Sequence, residues 1–443
     1  MIARYSRPEM SRIFSEPVQL ELWLLVEQAL VEVQTSHRVI PQAAGKKLAK
    51  KLEALREKKT YSIDRWRTLE KKTKHEFLAF LEMVAEKLGP ESAYLHLGVT
   101  SSDILDTGMM LQLQAGVLQL LTHFDRLLPV LKARADQYRD LVTIGRTHGM
   151  FAEPTVFGLK FLSWYSEGLR NQDRLLFALT EASYGKISGA VGNNAFVTVA
   201  QETEALDLLG LKREPVSTQV IPRDRIASVL SELALSGAWI ERVCTEIRHL
   251  QRSEVGEVNE GFEARQKGSS AMPHKKNPIA CENLVGCARL LRSNLQAAYE
   301  DCALWHERDM SHSSVERVIL PDSFTLLDYM FDRFAGVLEK LQVNEERVFE
   351  NRVKAGEVSL SGKLLTQLGL AGCPRTQAYE WVQKAAFVAS SEGIPLQDAF
   401  TQLARADAKL RAQLKKHPID WKKLLKDETH LKEVKKIYAQ LQR

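Results

Sequence analysis

The sequence predicts an all-α protein whose central part is built from unusually long helices. Apolar residues recur at helical spacing with few breaks, and only 142–144 looks like a short strand. At 1.5 Å per residue, helices of this size are roughly 30 to 45 Å long. The predicted long helices cover 104–132, 155–183, 223–252, 278–306 and 321–341.

The long helices carry apolar residues around much of their circumference, as Val229, Leu233, Leu235, Ala238 and Ile240 illustrate. A helix that is apolar on several sides needs packing partners on several sides. We therefore expect a helical bundle that other subunits complete. The change from short to long to short patterns predicts three domains, at 1–105, 106–355 and 356–443.

The amino-terminal part reads as short helices and loops. Ser15, followed by Glu16 and Pro17, is typical of a helix start, and the pattern runs to Ser36. A second start is predicted at 73–76. The lysine-rich run 46–59 has leucines at helical spacing, which favours a charged helix face over a binding patch.

The carboxy-terminal part reads as a compact helical domain. Helical patterns cover 357–369, 375–392 and 396–415, and a basic stretch follows at 421–443.

Composition excludes several classes of protein. Of 443 residues, 44% are hydrophobic and 26% are charged, as in soluble globular proteins. The net charge is +5 and the pI is about 8.8, short of the range typical of nucleic-acid-binding domains. Residues 1–14 lack the apolar core of a signal peptide, and no uninterrupted apolar run is long enough to span a membrane. We expect a cytoplasmic protein with neither nucleic-acid nor membrane partners.

The cysteines are five in number and show no paired spacing. This argues against a disulfide framework and against a zinc site. We expect reduced, buried thiols and no metal or other cofactor. The five are Cys244, Cys281, Cys287, Cys302 and Cys373.

The stretch 268–278 reads GSSAMPHKKNP and lies between two long helical patterns. Its two prolines prevent continuous helix, so it is predicted to be a loop that carries hydroxyls and lysines. Asn277 and Pro278 look like the N-cap and first residue of the next helix, whose positive end would face the loop and stabilise an anion there. A polar surface linker is the alternative interpretation.

Two further segments combine turn residues with polar side chains. Residues 145–150 read GRTHGM, a tight turn that would present His148, although a lone loop histidine is more often an ordinary surface residue. Residues 100–103 read TSSD, which could bind a carboxylate or could simply cap a helix at Ile104 through Ser102 or Asp103. A third turn, at 217–219, offers the amide of Gln219 to a nucleobase.

Three of these motifs, at 100–103, 147–149 and 268–278, resemble the signature of the fumarase/aspartase superfamily. Arg4-Tyr5, His75, 305–309 and 311–317 resemble the adenylosuccinate lyase family in particular. The similarity covers essentially the whole chain.

The resemblance implies a homotetramer in which the central helices form a large bundle and three subunits contribute to each active site. It also implies elimination of fumarate from two small nucleotide substrates. Adenylosuccinate would give AMP, and the succinyl-carboxamide ribotide SAICAR would give AICAR, with no cofactor.

The resemblance further implies roles for individual residues. His148 is the expected general acid and Ser269 the expected general base, with Lys275 neutralising the developing negative charge and Glu282 orienting a histidine. His75 completes the catalytic set. The expected substrate contacts are Arg4, Tyr5, Lys74, His75, Glu76, Thr100, Ser101, Gln219, Ser270, Lys275, Lys276, Asn277, Asn283, Arg308, Ser313, Ser314 and Arg317.

The chain departs from the family pattern at Lys74 and Glu76, where arginine and aspartate are commoner. Lysine keeps the charge but loses the guanidinium fork, so we expect a changed affinity and retained activity. Asn193 and Asn194 also differ from the small or aromatic residues that are commoner there.

Other functions remain as alternatives. Another superfamily member, such as a carboxymuconate cycloisomerase or an argininosuccinate lyase, shares the three motifs. A noncatalytic helical assembly would keep the fold without the chemistry, and a basic nucleic-acid binder would use the lysine runs.

Overall fold

The computed structural model describes residues 1–261, 271–272 and 274–441, apart from the side chain of His430, and confirms the all-α fold class. Its internal contacts form two compact units. The first unit comprises Met1–Leu127, Gly168–Arg242 and Glu282–Gly336, and the second comprises Leu128–Glu167, Val243–Cys281 and Val337–Arg443. The predicted division into three domains stays a prediction.

The amino-terminal helices follow the sequence prediction closely. The helix predicted from 15–17 begins at Glu16 and ends at Ser36, and the lysine-rich run is helical with its leucines buried. Short 3₁₀ turns cover Ala3–Tyr5 and Gly89–Tyr94. The helices are α1 Pro8–Ile13, α2 Glu16–Ser36, α3 Gln42–Glu57, α4 Ile63–Thr73 and α5 Glu76–Leu88.

An aromatic cluster anchors these helices in the core of the first unit. The indole of Trp23 on α2 meets Trp66, Phe77 and Phe80 edge to face, with ring centroids 5.3 to 5.8 Å apart. Edge-to-face pairs add to the stabilisation that burial of the rings provides. The cluster thereby fixes α4 and α5, which flank Lys74 and His75, against α2.

The long helices follow in the central part of the chain. They are α6 Ser101–Leu121, α7 Phe124–Gln137, α8 Gly158–Glu181, α9 Val199–Leu208, α10 Arg223–Leu250, α11 Ile279–Glu300 and α12 Ser311–Lys340. The prediction for 223–252 is confirmed to within two residues, whereas α11 ends six residues before the predicted limit.

The single helix predicted at 104–132 is wrong, because the chain breaks between α6 and α7. There the ring of His123 is buried, and its Nε2 lies 2.8 Å from Oδ1 of Asp328. Arg7 donates to the same carboxylate at 3.1 Å. The chain leaves the helical conformation where His123 makes this buried contact. The contact is tertiary, so the local sequence pattern does not reveal it.

The predicted start of a helix at Pro321 is also wrong. Helix α12 begins ten residues earlier, at Ser311, and passes through the proline. The proline removes one helical hydrogen bond. Ile319 and Leu320 in the preceding turn are buried, at 5% and 4% exposure, and their burial stabilises the helix before the proline.

The tight turn predicted around His148 is confirmed as the tip of a β-hairpin, whereas the helix predicted to start at 155 begins only at Gly158. Strand β1, Val142–Thr147, pairs antiparallel with β2, Met150–Val156, so the short predicted strand was real but its partner was missed. Pro154 in β2 hid the second strand, since proline cannot donate to a ladder and is tolerated only at edges or irregular positions. Two-residue pairings also occur: β3 Tyr184–Gly185 with β4 Lys212–Arg213, and β5 Val258–Asn259 with β6 Gln342–Val343.

The carboxy-terminal helices bury their own apolar core within the second unit. The helix predicted at 396–415 is divided at Asp407, whose Oδ1 accepts from the N–H groups of Lys409 and Leu410 while Oδ2 accepts from the indole of Trp381. After a 3₁₀ turn at Glu357–Leu360, the pattern at 375–392 is confirmed. The helices are α13 Glu345–Ala355, α14 Ser361–Leu370, α15 Arg375–Glu392, α16 Leu396–Ala406, α17 Ala408–Lys416, α18 Trp421–Leu424, α19 Asp427–His430 and α20 Val434–Gln440.

Two features of the described residues bear on the composition argument. The span Ser101–Gln137 is apolar and long enough to cross a membrane, but 56% of its most apolar window is buried inside the protein, as in a core helix. Cys302 is exposed, contrary to the expectation of buried thiols, because it follows the last turn of α11; the other cysteines are buried.

Candidate active site

A cavity of about 360 Å³ in the first unit collects several of the predicted substrate contacts. Glu76, Arg308, Ser313 and Arg317 all line it. They come from α5, from the loop before α12 and from the first turns of α12. The sequence therefore identified one wall of a real cavity from residues more than two hundred positions apart.

Arg308 is the best-placed cation in this cavity. One of its Nη atoms donates to Oγ of Ser313 at 2.8 Å, and the other donates to the carbonyl oxygen of Asp309 at 2.6 Å. Burial lowers the pKa of Arg308, although a guanidinium remains charged at neutral pH. Arg317 is more exposed and is paired with Glu76. A guanidinium and a hydroxyl held side by side suit a phosphate group.

The cavity is also lined by residues that the sequence analysis missed. Arg223 at the start of α10 lies between the carboxylates of Asp106 and Glu316, and all three are buried. Trp23 and Trp66 supply an apolar face. The sequence signal for this cluster was Asp106, which lies within an apolar helical run. A charged residue in such a run is buried only when it has a partner of opposite charge.

Tyr5 and Asn283 are brought together by the fold. The amide nitrogen of Asn283 donates to the phenol oxygen of Tyr5 at 3.4 Å, and the phenol of Tyr329 donates to the amide oxygen at 2.8 Å. Arg4 is exposed on the 3₁₀ turn beside Tyr5. Glu282, the neighbour of Asn283 in α11, is exposed.

The TSSD motif starts helix α6, but not in the way predicted. Helix α6 begins at Ser101 with Thr100 as its N-cap, so neither Ser102 nor Asp103 is the cap. The carboxylate of Asp103 instead reaches back and accepts from the N–H of Thr100 at 2.8 Å. Thr100 and Ser101 are partly exposed at the positive end of the helix, where a carboxylate is stabilised.

His75 is exposed at the start of α5, and its Nδ1 accepts from the N–H of Leu78 at 3.2 Å. A neutral imidazole with Nδ1 as acceptor carries its proton on Nε2, so Nε2 is the donor that faces outward. Lys74 has a left-handed backbone with φ of 57° and ends α4. Gln219 is partly exposed, and its side-chain amide donates to the carbonyl oxygen of Ala190 at 3.1 Å.

His148 occupies the tip of the β1–β2 hairpin in the second unit. Its φ is 53°, Gly149 follows with φ of 78°, and the imidazole is exposed. Close to the tip, Arg146 is ion-paired with the buried Glu257, 2.6 Å away, and lies over the ring of Phe151, which ties this end of the hairpin to its surroundings. The fold thus presents the predicted acid at the exposed end of this hairpin.

The loop 268–278 is described only in part. The predicted base Ser269 and its neighbour Ser270 lie outside the described residues. Lys275 and Lys276 are exposed, and Asn277 is partly buried. Ser314 is exposed on the first turn of α12.

The positive end of α11 does stabilise an anion, but that anion is a carboxylate of the protein itself. The helix begins at Ile279, one residue later than predicted, and the N–H groups of Ala280 and Cys281 donate to the carboxylate of Glu260 at 2.9 and 2.8 Å. The protein's own carboxylate therefore occupies this anion position.

Comparison with known proteins identifies the family. A model of the lyase family matches residues 3–291. The adenylosuccinate lyase of Thermotoga maritima is 46% identical over 87% of this chain and 88% of its own length, and that of Synechocystis is 42% identical over 100% of both.

The chain belongs to the adenylosuccinate lyase family. A fumarate lyase from Mesorhizobium shares its fold, with a TM-score of 0.84 over 99% of both chains at 21% identity.

Proposed function

We propose that the protein is an adenylosuccinate lyase that eliminates fumarate from adenylosuccinate to give AMP, and from SAICAR to give AICAR. The observation that carries this proposal is the full-length likeness to adenylosuccinate lyases, combined with a cavity whose arginine and serine suit a nucleotide phosphate. Both substrates are small nucleotides with the same succinyl group. We also propose that the reaction takes place in the cytoplasm as part of purine synthesis.

The reaction breaks one carbon–nitrogen bond and one carbon–hydrogen bond. A base removes the proton next to a carboxylate, the electron pair forms the double bond of fumarate, and the amine leaves with a proton from an acid. Negative charge accumulates on the adjacent carboxylate before the amine departs. Lys275 and Asn277 are the proposed donors to that charge.

His148 is the proposed acid, because an imidazole can give a proton to a leaving amine and this one is exposed at the tip of a hairpin. Ser269 is the proposed base. An alcohol is far less acidic than the usual catalytic groups, so Ser269 must be activated by loop amides and by the ammonium of Lys275. Glu282 and His75 are proposed to orient the acid and the succinyl group.

Assembly into a homotetramer is proposed as well. Large apolar side chains are exposed on the long helices of the first unit, among them Leu176, Phe177, Leu235 and Leu290 at 44 to 51% exposure. Association with other copies would cover such residues, as in other helical bundles. Light scattering on the purified protein should give the mass of four 50.1-kDa chains, and a stable monomer would contradict this part of the proposal.

The decisive experiment supplies the purified protein with adenylosuccinate or SAICAR and measures fumarate release. Release from both substrates is expected. A well-folded tetramer that releases fumarate from neither would refute the proposal.

Two variants test the proposed acid and base. His148→Ala and Ser269→Ala should each lower kcat by about a hundredfold or more while the assembly stays intact. If the sites are shared, mixing the two inactive variants should restore part of the activity. A fully active Ser269→Ala variant would show that another group is the base.

A further inference from the structure

Lys186 is fully buried, and groups from three separate segments hold its ammonium. The ammonium is paired with the carboxylate of Asp103 on α6 and donates to the carbonyl oxygen of Gln219 at 2.8 Å. It also lies 3.4 Å from the carbonyl oxygen of Gly189. A buried ammonium with satisfied partners holds those partners in position, because moving any of them would leave a buried charge without compensation.

Asp103, the partner of Lys186, holds further backbone groups in position. Its Oδ1 accepts from the N–H groups of Ser188 and Gly189 at 3.1 and 3.2 Å, and its Oδ2 accepts from the N–H of Thr100 at 2.8 Å. One carboxylate therefore joins the first turn of α6 to the loop that follows β3. The segment that presents Thr100 and Ser101 is tied to the same ion pair that holds Gln219.

A second buried ion pair, one turn further along α6, anchors the other end of the Gln219 segment. Asp106 pairs with Arg223 and accepts from the N–H of Ile221 at 2.9 Å. Residues 219–223 are therefore attached to two successive turns of α6. The N–H of Gln219 also donates to the carbonyl oxygen of Glu307 at 3.1 Å, next to Arg308. Few degrees of freedom remain for the backbone of Gln219.

We infer that Lys186 is a positioning residue that, together with Asp103, sets Gln219 against the Thr100–Ser101 segment in the substrate-binding arrangement. The inference rests on the proposed function, because it takes these three residues as substrate contacts. Buried ion pairs often add little to stability compared with apolar residues of the same size. Their value here is the fixed placement of two chain segments that contact different parts of one ligand.

The test measures AMP binding to the full-length protein by calorimetry, together with kcat and KM for adenylosuccinate. Lys186→Met keeps the length of the side chain and removes the charge, while Asp103 retains its three N–H donors. We expect AMP to bind about tenfold more weakly or worse, and KM to rise by more than kcat falls. Lys186→Arg restores the charge and should recover part of the affinity.

A double-mutant cycle separates positioning from general damage. Lys186 acts on AMP through Gln219, so Lys186→Met should change AMP affinity far less in a Gln219→Ala background. Lys51→Met is the matched control, because Lys51 lies in the same unit and its ammonium contacts Glu91 and the carbonyl oxygen of Leu88, none of which takes part in the contacts of Lys186 described above. The control should lower stability and leave AMP affinity unchanged.

Each outcome decides a different question. Wild-type affinity in Lys186→Met, or effects of Lys186→Met and Gln219→Ala that simply add, would overturn the positioning role while the wild type still releases fumarate. A wild type that neither releases fumarate nor binds AMP would overturn the proposed function as well. If Lys186→Met does not fold, Asp103→Asn takes its place, and unchanged AMP affinity in that variant overturns the inference equally.

Discussion

Replacing Arg223 with methionine is expected to destabilise the first unit strongly and in a pH-dependent way. The guanidinium is 4% exposed and lies between two buried carboxylates. It donates to Asp106 at 2.6 and 3.2 Å, to Glu316 at 2.7 and 3.1 Å, and to the carbonyl oxygen of Ile221 at 2.9 Å. Methionine fills a similar volume but offers none of these donors.

The magnitude follows from what remains after the substitution. Removing one partner of a buried ion pair costs about 3 to 5 kcal/mol, because the other charge stays buried without compensation. Here two carboxylates stay behind, and within the described part of the chain Asp106 keeps one close donor, the N–H of Ile221 at 2.9 Å. Since whole domains are stable by about 5 to 15 kcal/mol, a loss near 4 kcal/mol is a large share of the total.

The pH dependence has a definite sign. Burial raises the pKa of Asp106, but the charge and hydrogen bonds of Arg223 outweigh it and hold the pKa below its ordinary value. A carboxyl group whose pKa is lower in the folded than in the unfolded protein stabilises the fold at pH values above its unfolded pKa, which is about 4. This stabilisation is lost as the pH falls through the folded pKa. Without Arg223, burial is opposed by the N–H of Ile221 and the charge of Lys186 alone, so the pKa of Asp106 should rise and the variant should gain stability on acidification.

The assay is urea unfolding of the wild type and Arg223→Met at one protein concentration, at about pH 8 and about pH 5. The difference in the free energy of unfolding should be large at the higher pH and smaller at the lower one. The stability of Arg223→Lys should lie between those of the wild type and Arg223→Met. Arg65→Met, which removes an exposed ion pair with Glu86, should hardly change the urea concentration at the unfolding midpoint. An equal loss at both pH values, or one no larger than that of Arg65→Met, would refute the reasoning.

Other predictions follow from the same contacts. Arg308→Met should raise KM roughly a hundredfold with a smaller change in kcat, and an equal fall in kcat would contradict a binding role. Burial raises the pKa of Asp301 to about 6, so wild-type stability should decline as pH rises from about 4 to 6. Asp301→Asn should remove that decline in thermal-unfolding scans, and a persistent decline would assign it to another group. Gly45→Ala should cost about 1 to 3 kcal/mol in urea unfolding, because its Cβ would lie 1.9 Å from Oγ1 of Thr35. Gly369→Ala, with open space around it, is the control, and equal losses in the two variants would contradict the packing argument.

Much of the helical fold could be predicted because its signals are local. The start of α2 at Glu16, after Ser15, and the buried leucine stripe of α3 depend on residues within a few positions of one another. The candidate site was predictable in part for a different reason. Arg308 and Ser313 lie five positions apart, so their motif survives as a short string whose members also touch in the fold.

Two of the differences share one physical cause, which is a partner distant in sequence. The break after α6 depends on contact between His123 and Asp328, and the N-terminus of α11 is occupied by Glu260 rather than left for a ligand. Strand β2 was missed because Pro154 argues locally against a strand. At α6 and α11 a long-range contact outweighs the local preference, whereas β2 pairs with the neighbouring strand β1.

The sequence by itself determined the helical class, the family and the short motifs that carry chemistry, because each is written in residues close together along the chain. The tertiary structure alone decided what surrounds those motifs. Asp103 was predicted to cap a helix or to belong to a carboxylate-binding motif, and Asp106 was not singled out, yet their partners Lys186 and Arg223 lie 83 and 117 positions away. A buried charge is stable only beside its partner, and which residue that partner is depends on how the whole chain folds.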